Sequence, residues 1–356
     1  MGFGGKMLHF RMPLPRSRAT LKHISEQLDL SISTVSRALK DHPDIAEQTK
    51  RRVRELAELM EYEPNAFAIQ LRTNASRLIG VIVPEISGFF YHAFIGGLEQ
   101  EARSWGYSLM ILQSEDDPAR EAANLRLCRL NRTAGVLVAL SSSTTDMEQF
   151  ERTAESGIPV VFFDKVPDDS GFPTVTMADP EAAALAAEAI LGAGRQRVLG
   201  LFGDPGLSIT RKRLHAFRQS LDAGDAPPAF ALGHARSRDE AHHCLKERLE
   251  GGDARPDCLF AMSDEILAGA LKAIQEKGLR IPDDIAVVAI STGFVPSLFS
   301  PEITYVETDG VSLGRKAFEI LHRCLSKQPP SGEWTVGVRL VPGGSLPRLR
   351  TPGRVP

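Results

Sequence analysis

The sequence predicts a mixed α/β protein: a small three-helix unit at the amino terminus, then a two-lobed core built on parallel sheets. Three observations carry this reading. A chain of 356 residues, 42% hydrophobic and 24% charged, is longer than one ordinary compact domain and can bury a large core. From Leu21 to Met60 the apolar residues Ile24, Leu28, Val35, Leu39, Val53, Leu56 and Met60 fall into three short helical patterns separated by polar breaks. After Leu78 the texture changes to near-continuous apolar runs alternating with amphipathic stretches, which is how strands covered by helices on both faces read.

The elements follow in order. Residues 1–19 carry Lys6, Arg11, Arg16 and Arg18 among Gly, Pro and Met without hydrophobic periodicity, which predicts a disordered basic arm. Residues 20–63 hold the helical unit and 64–76 a linker. The strand patterns are Leu78–Val83, Leu109–Leu112, Gly135–Val138, Pro159–Phe163, Val198–Phe202, Cys258–Ala261 and Ile285–Val288, each next to a helical segment. Such a core over 77–345 exceeds one usual doubly wound domain, so two lobes are expected. The first spans about 77–176 and 308–328, the second about 177–307 and 329–345. Residues 346–356, rich in Pro and Arg and without heptads, read as a flexible tail.

Charge and cysteine usage narrow the function classes. The net charge is −3, yet residues 1–76 hold 12 Lys and Arg against 9 Asp and Glu, so a mildly basic head precedes an acidic body. No stretch approaches the roughly 18 apolar residues of a membrane helix, and the start lacks an apolar signal core, which predicts a cytoplasmic protein that does not bind membranes. Cys128, Cys244, Cys258 and Cys324 lie far apart without a C-x-x-C pair and read as buried thiols. His242-His243-Cys244 sits in a helix-like run where adjacent side chains diverge, so no metal site or other cofactor is expected.

Between Leu21 and Leu39 a first helix ends near Leu28 and a second begins after Ser31, the spacing of a helix-turn-helix. Ser31 caps the second helix, and its first-turn amides with the Ser31 and Thr34 hydroxyls suit phosphate oxygens. Ile32, Ser33 and Arg37 then face a major groove, Arg37 pairing with guanine and Ile32 offering apolar contact to a thymine methyl. Spacing alone leaves open a plain helical bundle in which these hydroxyls are merely caps.

The string Ser31 to Leu39, with Leu30 before it, resembles the signature V-S-x-x-T-V-S-R-x-L of the lactose/galactose repressor (LacI/GalR) family. Tyr62-Glu63-Pro64-Asn65 through Leu71-Arg72, followed by Ile79-Gly80-Val81, resembles that family's Y-x-P-N-x-x-A-x-x-L hinge and the start of its core, and the resemblance runs from about Thr20 to Leu346. It implies a periplasmic-binding-protein-like core and a ligand-responsive, sequence-specific transcription regulator, a repressor of carbohydrate or sugar-acid metabolism genes that binds a near-palindromic operator as a homodimer. The DNA-binding set it implies is Ser31, Ile32, Ser33, Thr34, Ser36 and Arg37, with Asn65, Ala68 and Leu71 from a hinge whose leucine wedges open the minor groove. Asp29 stands where Gly is usual, His23 for Asp, and Ala46 for the Ser that starts the third helix.

In the core the resemblance implies an effector held in a cleft between the lobes, beyond the carboxyl ends of the strands. The residues in matching places are Phe89, Phe90, Asp164, Arg213, Ser263, Asp264, Ser291 and Thr308. Ser291 replaces an aspartate that normally accepts ligand hydroxyls. With that carboxylate gone and Arg213 kept, a sugar acid or phosphorylated sugar joins neutral sugars as a candidate effector. A decayed cleft, or one serving a protein partner, is the alternative. Other classes fit less well: no G-x-S-x-G, P-loop or G-x-G-x-x-G points to an enzyme, and Gly203-Asp204-Pro205-Gly206 reads as a loop. A transport-type binding protein would carry an export signal and no headpiece. A nucleoid binder would lack so large a core.

Overall fold

A computed structural model describes residues 19–63, 76–251, 255–326 and 332–347. The chain divides into two compact units, residues 1–75 and 76–356.

Among its described residues the first unit holds three helices, α1 (Leu21–Leu28), α2 (Ile32–Leu39) and α3 (Glu47–Leu59). Thr20 caps α1 by accepting from the His23 N–H, and Ser31 caps α2 by accepting from the Thr34 N–H. Asp29 ends α1 with a left-handed backbone, φ 52°, a conformation that Asp tolerates better than most residues where Gly is absent. Ala46 offers α3 no side-chain cap. Ile24, Val35, Ala38, Val53 and Ala57 form the centre of a very small core. On α3 the almost fully buried Lys50 is tied to Glu47 at 2.7 Å and Asp41 at 3.2 Å.

The second unit contains two six-stranded sheets. Its elements are β1 (Leu78–Val83), α4 (Phe89–Ser104), β2 (Ser108–Gln113), α5 (Pro118–Leu130), β3 (Gly135–Val138), α6 (Glu148–Glu155), β4 (Val160–Phe163), β5 (Thr174–Met177) and α7 (Asp179–Gly192). They continue as β6 (Arg197–Phe202), α8 (Ser208–Asp222), β7 (Ala229–His234), α9 (Arg238–Leu249), β8 (Cys258–Ala261), α10 (Asp264–Glu276), β9 (Ala286–Ser291) and α11 (Phe294–Ser297). The last are β10 (Thr304–Glu307), α12 (Gly310–Leu325), β11 (Glu333–Val336) and β12 (Arg339–Val341). The first sheet runs β11-β5-β4-β3-β1-β2, all parallel; the second runs β12-β10-β9-β8-β6-β7, parallel except for β12. Central strands such as β3, β4, β8 and β9 are buried along their whole length, because helices cover both faces.

The chain passes between the sheets after β5, after β10 and between β11 and β12. This corrects one expected boundary: β11, assigned by sequence to the second lobe, pairs with β5 in the first, Trp334 opposite Val175. Val338, just beyond β11, packs against the cores of both lobes. The edge strands β7 and β12, with β5, β10 and β11, are missing from the sequence expectation; all but β7 are only three or four residues long.

In the first lobe α4 and α12 approach backbone to backbone. A β-carbon on Gly314 would stand 2.3 Å from the Phe94 carbonyl oxygen, and one on Gly97 would stand 2.2 Å from that of Val311. Neither neighbour is a flexible side-chain tip, so the helices themselves would have to part. Gly314→Ala is expected to cost about 1–3 kcal/mol by overpacking, read as a lower urea midpoint of the second unit with the first unit's transition unchanged.

Candidate functional site

The headpiece places α2 as the exposed helix of the motif. Val35 and Ala38 point into the core, so Ile32, Ser33 and Arg37 lie on the opposite face, exposed. Ile32 is 49% exposed, which leaves its side chain available for contact with another surface. Arg37 makes no ion pair or side-chain hydrogen bond among the described residues. The Ser31 hydroxyl lies 2.7 Å from that of Ser33 and 2.8 Å from that of Thr34, so three hydroxyls cluster at the positive end of the helix dipole. Ser36, half-buried, sits one residue before Arg37 on the flank of this face. Asn65, Ala68 and Leu71 lie outside the described residues.

In the second unit a cleft of about 230 Å³ opens between the two sheets. Its walls are the residues that follow strand ends: Glu85 after β1, Asp116 after β2, Ser142 after β3, Asp164 and Lys165 after β4, Asp204 after β6, Arg236 after β7, Met262 to Glu265 after β8, and Thr308 after β10. Parallel strands bring all their carboxyl ends to one edge, which is why such a list forms a single site. Phe90, Leu207, Ile209 and Ile290 add apolar surface.

Of the expected effector residues, Phe90, Asp164, Arg213, Ser263, Asp264, Ser291 and Thr308 line this cleft. Phe89 does not; its ring stacks on Phe294 across the lobes at 5.6 Å between centroids, and the helix turn separating it from Phe90 sends the two rings different ways. Glu85, Tyr91, Asp116, Lys165, Asp204, Arg236 and Glu265 were not singled out by sequence, although their places after strand ends were a sufficient signal.

Each polar group has a defined partner. Asp164 adopts a left-handed backbone, φ 57°, at the end of β4, and its carboxylate accepts the Tyr91 hydroxyl at 2.8 Å. Burial and then the charge of Asp164 hold the Tyr91 phenol well above its ordinary value, so it remains the donor. Asp264 accepts from the Ser291 hydroxyl and, at 2.9 Å each, from the Thr292 N–H and hydroxyl. Burial raises Asp264 while these donors pull it back. Ser291 is thus spent on orienting Asp264, and its oxygen also accepts the Gly293 N–H at 2.9 Å. Thr308 donates to the Ser291 carbonyl at 3.2 Å and Ser263 caps α10.

Arg213 departs most from expectation. Its Nε and Nη2 reach Asp179 Oδ1 at 2.9 and 2.7 Å, and its Nη1 donates to the Met262 carbonyl at 2.7 Å, with 7% of the side chain exposed. The guanidinium charge is therefore neutralised inside the protein, and the expected spare cation for an acidic ligand is not there; N–H groups not used in these contacts can still donate to a neutral oxygen. Burial pushes Asp179 up to about 6, against the pull of Arg213, which leaves it ionised at neutral pH. The triplet His242-His243-Cys244 resolves into separate contacts, His242 lying 2.8 Å from Glu276 and His243 3.2 Å from Glu247. No helix among the described residues is long and apolar enough to cross a membrane.

A helix-turn-helix with an exposed second helix, followed by a unit with a polar cleft between parallel sheets, defines a ligand-responsive DNA-binding regulator. Residues 20–65 match the family model for bacterial regulatory proteins of the lacI family, and residues 187–346 match the periplasmic binding protein-like domain. The first unit thus carries a lacI-family domain, and the second a periplasmic binding protein-like domain. It is 24% identical over 312 residues to catabolite control protein A of Priestia megaterium, covering 87% of this chain and 93% of that protein. It is 26% identical over 312 residues to the HTH-type transcriptional repressor PurR of Haemophilus influenzae, covering 85% and 90%. The fold matches the lac repressor dimer bound to operator and the anti-inducer ONPF with a TM-score of 0.83 at 22% identity, over 92% of this chain and 99% of that one. A putative ribose operon repressor from Burkholderia thailandensis aligns with a TM-score of 0.67 at 25% identity, over 75% and 99%. These relatives are regulators, not enzymes.

Arg213→Ala is expected to lower the stability of the second unit by about 3–5 kcal/mol at neutral pH, because it leaves Asp179 as an uncompensated buried charge. Without the arginine Asp179 protonates more readily still, so the deficit shrinks on acidification. Urea melts of both proteins at about pH 8 and pH 5 check this, and a gap that widens at the lower pH contradicts it.

Proposed function

We propose that the chain is a homodimeric repressor that reads a near-palindromic operator through Ser31, Ile32, Ser33, Thr34, Ser36 and Arg37, and that a small molecule in the core cleft sets its operator affinity. The single observation that carries this reading is the exposed face of α2, where Ile32 and Arg37 stand ready beside a hydroxyl-lined helix start. Arg37 pairs with guanine O6 and N7, Ile32 contacts a thymine methyl, and the first-turn amides take a phosphate. Two such helices are needed because one covers only a short half-site, and the dimeric, operator-bound state of the lac repressor supports the same arrangement here. Asn65, Ala68 and Leu71 form the hinge, with Leu71 as the minor-groove wedge. The effector acts by favouring one arrangement of the lobes and so changing the cost of folding the paired hinges on DNA. Such a protein works in the cytoplasm, where its operator is.

Selection of binding sites from random duplexes, with and without candidate metabolites, yields the operator and the sign of the effector response. Arg37→Ala is expected to erase sequence preference while leaving affinity for unrelated duplex within a few-fold; equal weakening on every duplex contradicts the assigned base contact. Leu71→Ala is expected to reduce operator bending, measured by the mobility of circularly permuted fragments, and to weaken the selected site far more than nonspecific DNA.

A further inference from the structure

The charge balance of the cleft assigns a ligand class, given the reading that this cleft holds the effector. Three cationic side chains line it, and each is already neutralised within the protein: Lys165 by Asp116 at 3.5 Å, Arg236 by Asp204 at 3.7 Å, and Arg213 by Asp179 at 2.7 Å. Four lining carboxylates remain with no cation beside them among the described residues: Glu85, Asp164, Asp264 and Glu265. Asp264 is held by three donors from Ser291 and Thr292, which stabilise its ionised form. Asp164 is fixed on a left-handed backbone and receives a hydrogen bond only from a neutral phenol.

We propose that the effector is a polyhydroxylated amine of the amino-sugar class, whose ammonium group is met by Asp164 and Glu265, and not a sugar acid or phosphorylated sugar. An incoming carboxylate or phosphate would face four carboxyl groups, two of them pushed up by burial, and no cation left unpaired among the described residues. An ammonium supplies the countercharge that the cleft lacks, while the hydroxyls find acceptors at Asp264 and donors at the Arg213 N–H groups not used by Asp179 and Met262. Asp164 lies in the first lobe and Glu265 in the second, so a cation held by both draws the two lobes toward one another. That gives the ligand the differential contact with the closed arrangement that a regulatory response requires.

The test is calorimetric titration of the full-length protein with glucosamine, glucose and glucuronate, buffered below the amine's own pKa. Glucosamine is expected to bind at least about tenfold more tightly than glucose, with glucuronate weakest. Asp164→Asn and Glu265→Gln should each bring glucosamine to within a few-fold of glucose. Glucosamine affinity should fall with added salt while glucose affinity stays level; this readout needs no variant and holds if a variant fails to fold. If glucuronate or glucose binds as tightly as glucosamine, and Ser142→Trp at the cleft wall abolishes that binding, the charge assignment is overturned and the cleft reading stands. If none of the three binds, or binding is indifferent to Ser142→Trp, both are overturned.

Discussion

Parallel pairing constrains this molecule more than any single contact. A parallel strand can be followed by another only after the chain has crossed back over the sheet, so every strand but the antiparallel β12 ends at the same edge of its lobe. In two lobes joined by three crossings those edges face a common cleft. The residues just past the strands are then released from ladder hydrogen bonds and free to line that cleft. Glu85, Asp116, Asp164, Asp204, Asp264 and Thr308 are brought together from positions scattered over more than half of the chain by this one rule.

The polar groups in that cleft divide by what they are attached to. Asp179 and Arg213 form a fully enclosed pair at the foot of α7 and on α8, and they also tie down the carbonyl after β8. This is a structural use of charge: the geometry is tight, and neither partner is tolerable alone. Asp164 and Glu265 are of another kind, facing open volume without a counterion. Ser291 stands where the sequence resemblance leads to the expectation of a carboxylate, yet the site does not thereby become cationic, because Glu85, Asp164, Asp264 and Glu265 have no cation beside them among the described residues.

The headpiece solves a different problem with very few residues. Its five central apolar side chains cannot stabilise three helices unaided, so local devices carry much of the load: the Thr20 and Ser31 caps, the left-handed Asp29 and the buried Lys50 tied to Asp41 and Glu47. Those devices also leave one face of α2 free of internal duty. An exposed Ile32 beside an Arg37 that has no ion pair among the described residues suits the edges of base pairs.

What the sequence determined by itself was the local and the periodic. The helix start at Ser31, the turn at Asp29 and the motif from Ser31 to Leu39 rest on interactions within a few residues, and the long apolar runs of strands such as β1, β3, β6 and β8 are periodic signals in the string itself, so these were legible before any fold was known. The place of β11 was not, because Glu333 to Val336 could extend either sheet and only its pairing with β5 chooses. The role of Arg213 was also hidden, since nothing in the string shows that Asp179, 34 positions earlier, neutralises it. Charge in a cleft is a sum over residues far apart in the chain, and only tertiary structure decides which of them are neighbours.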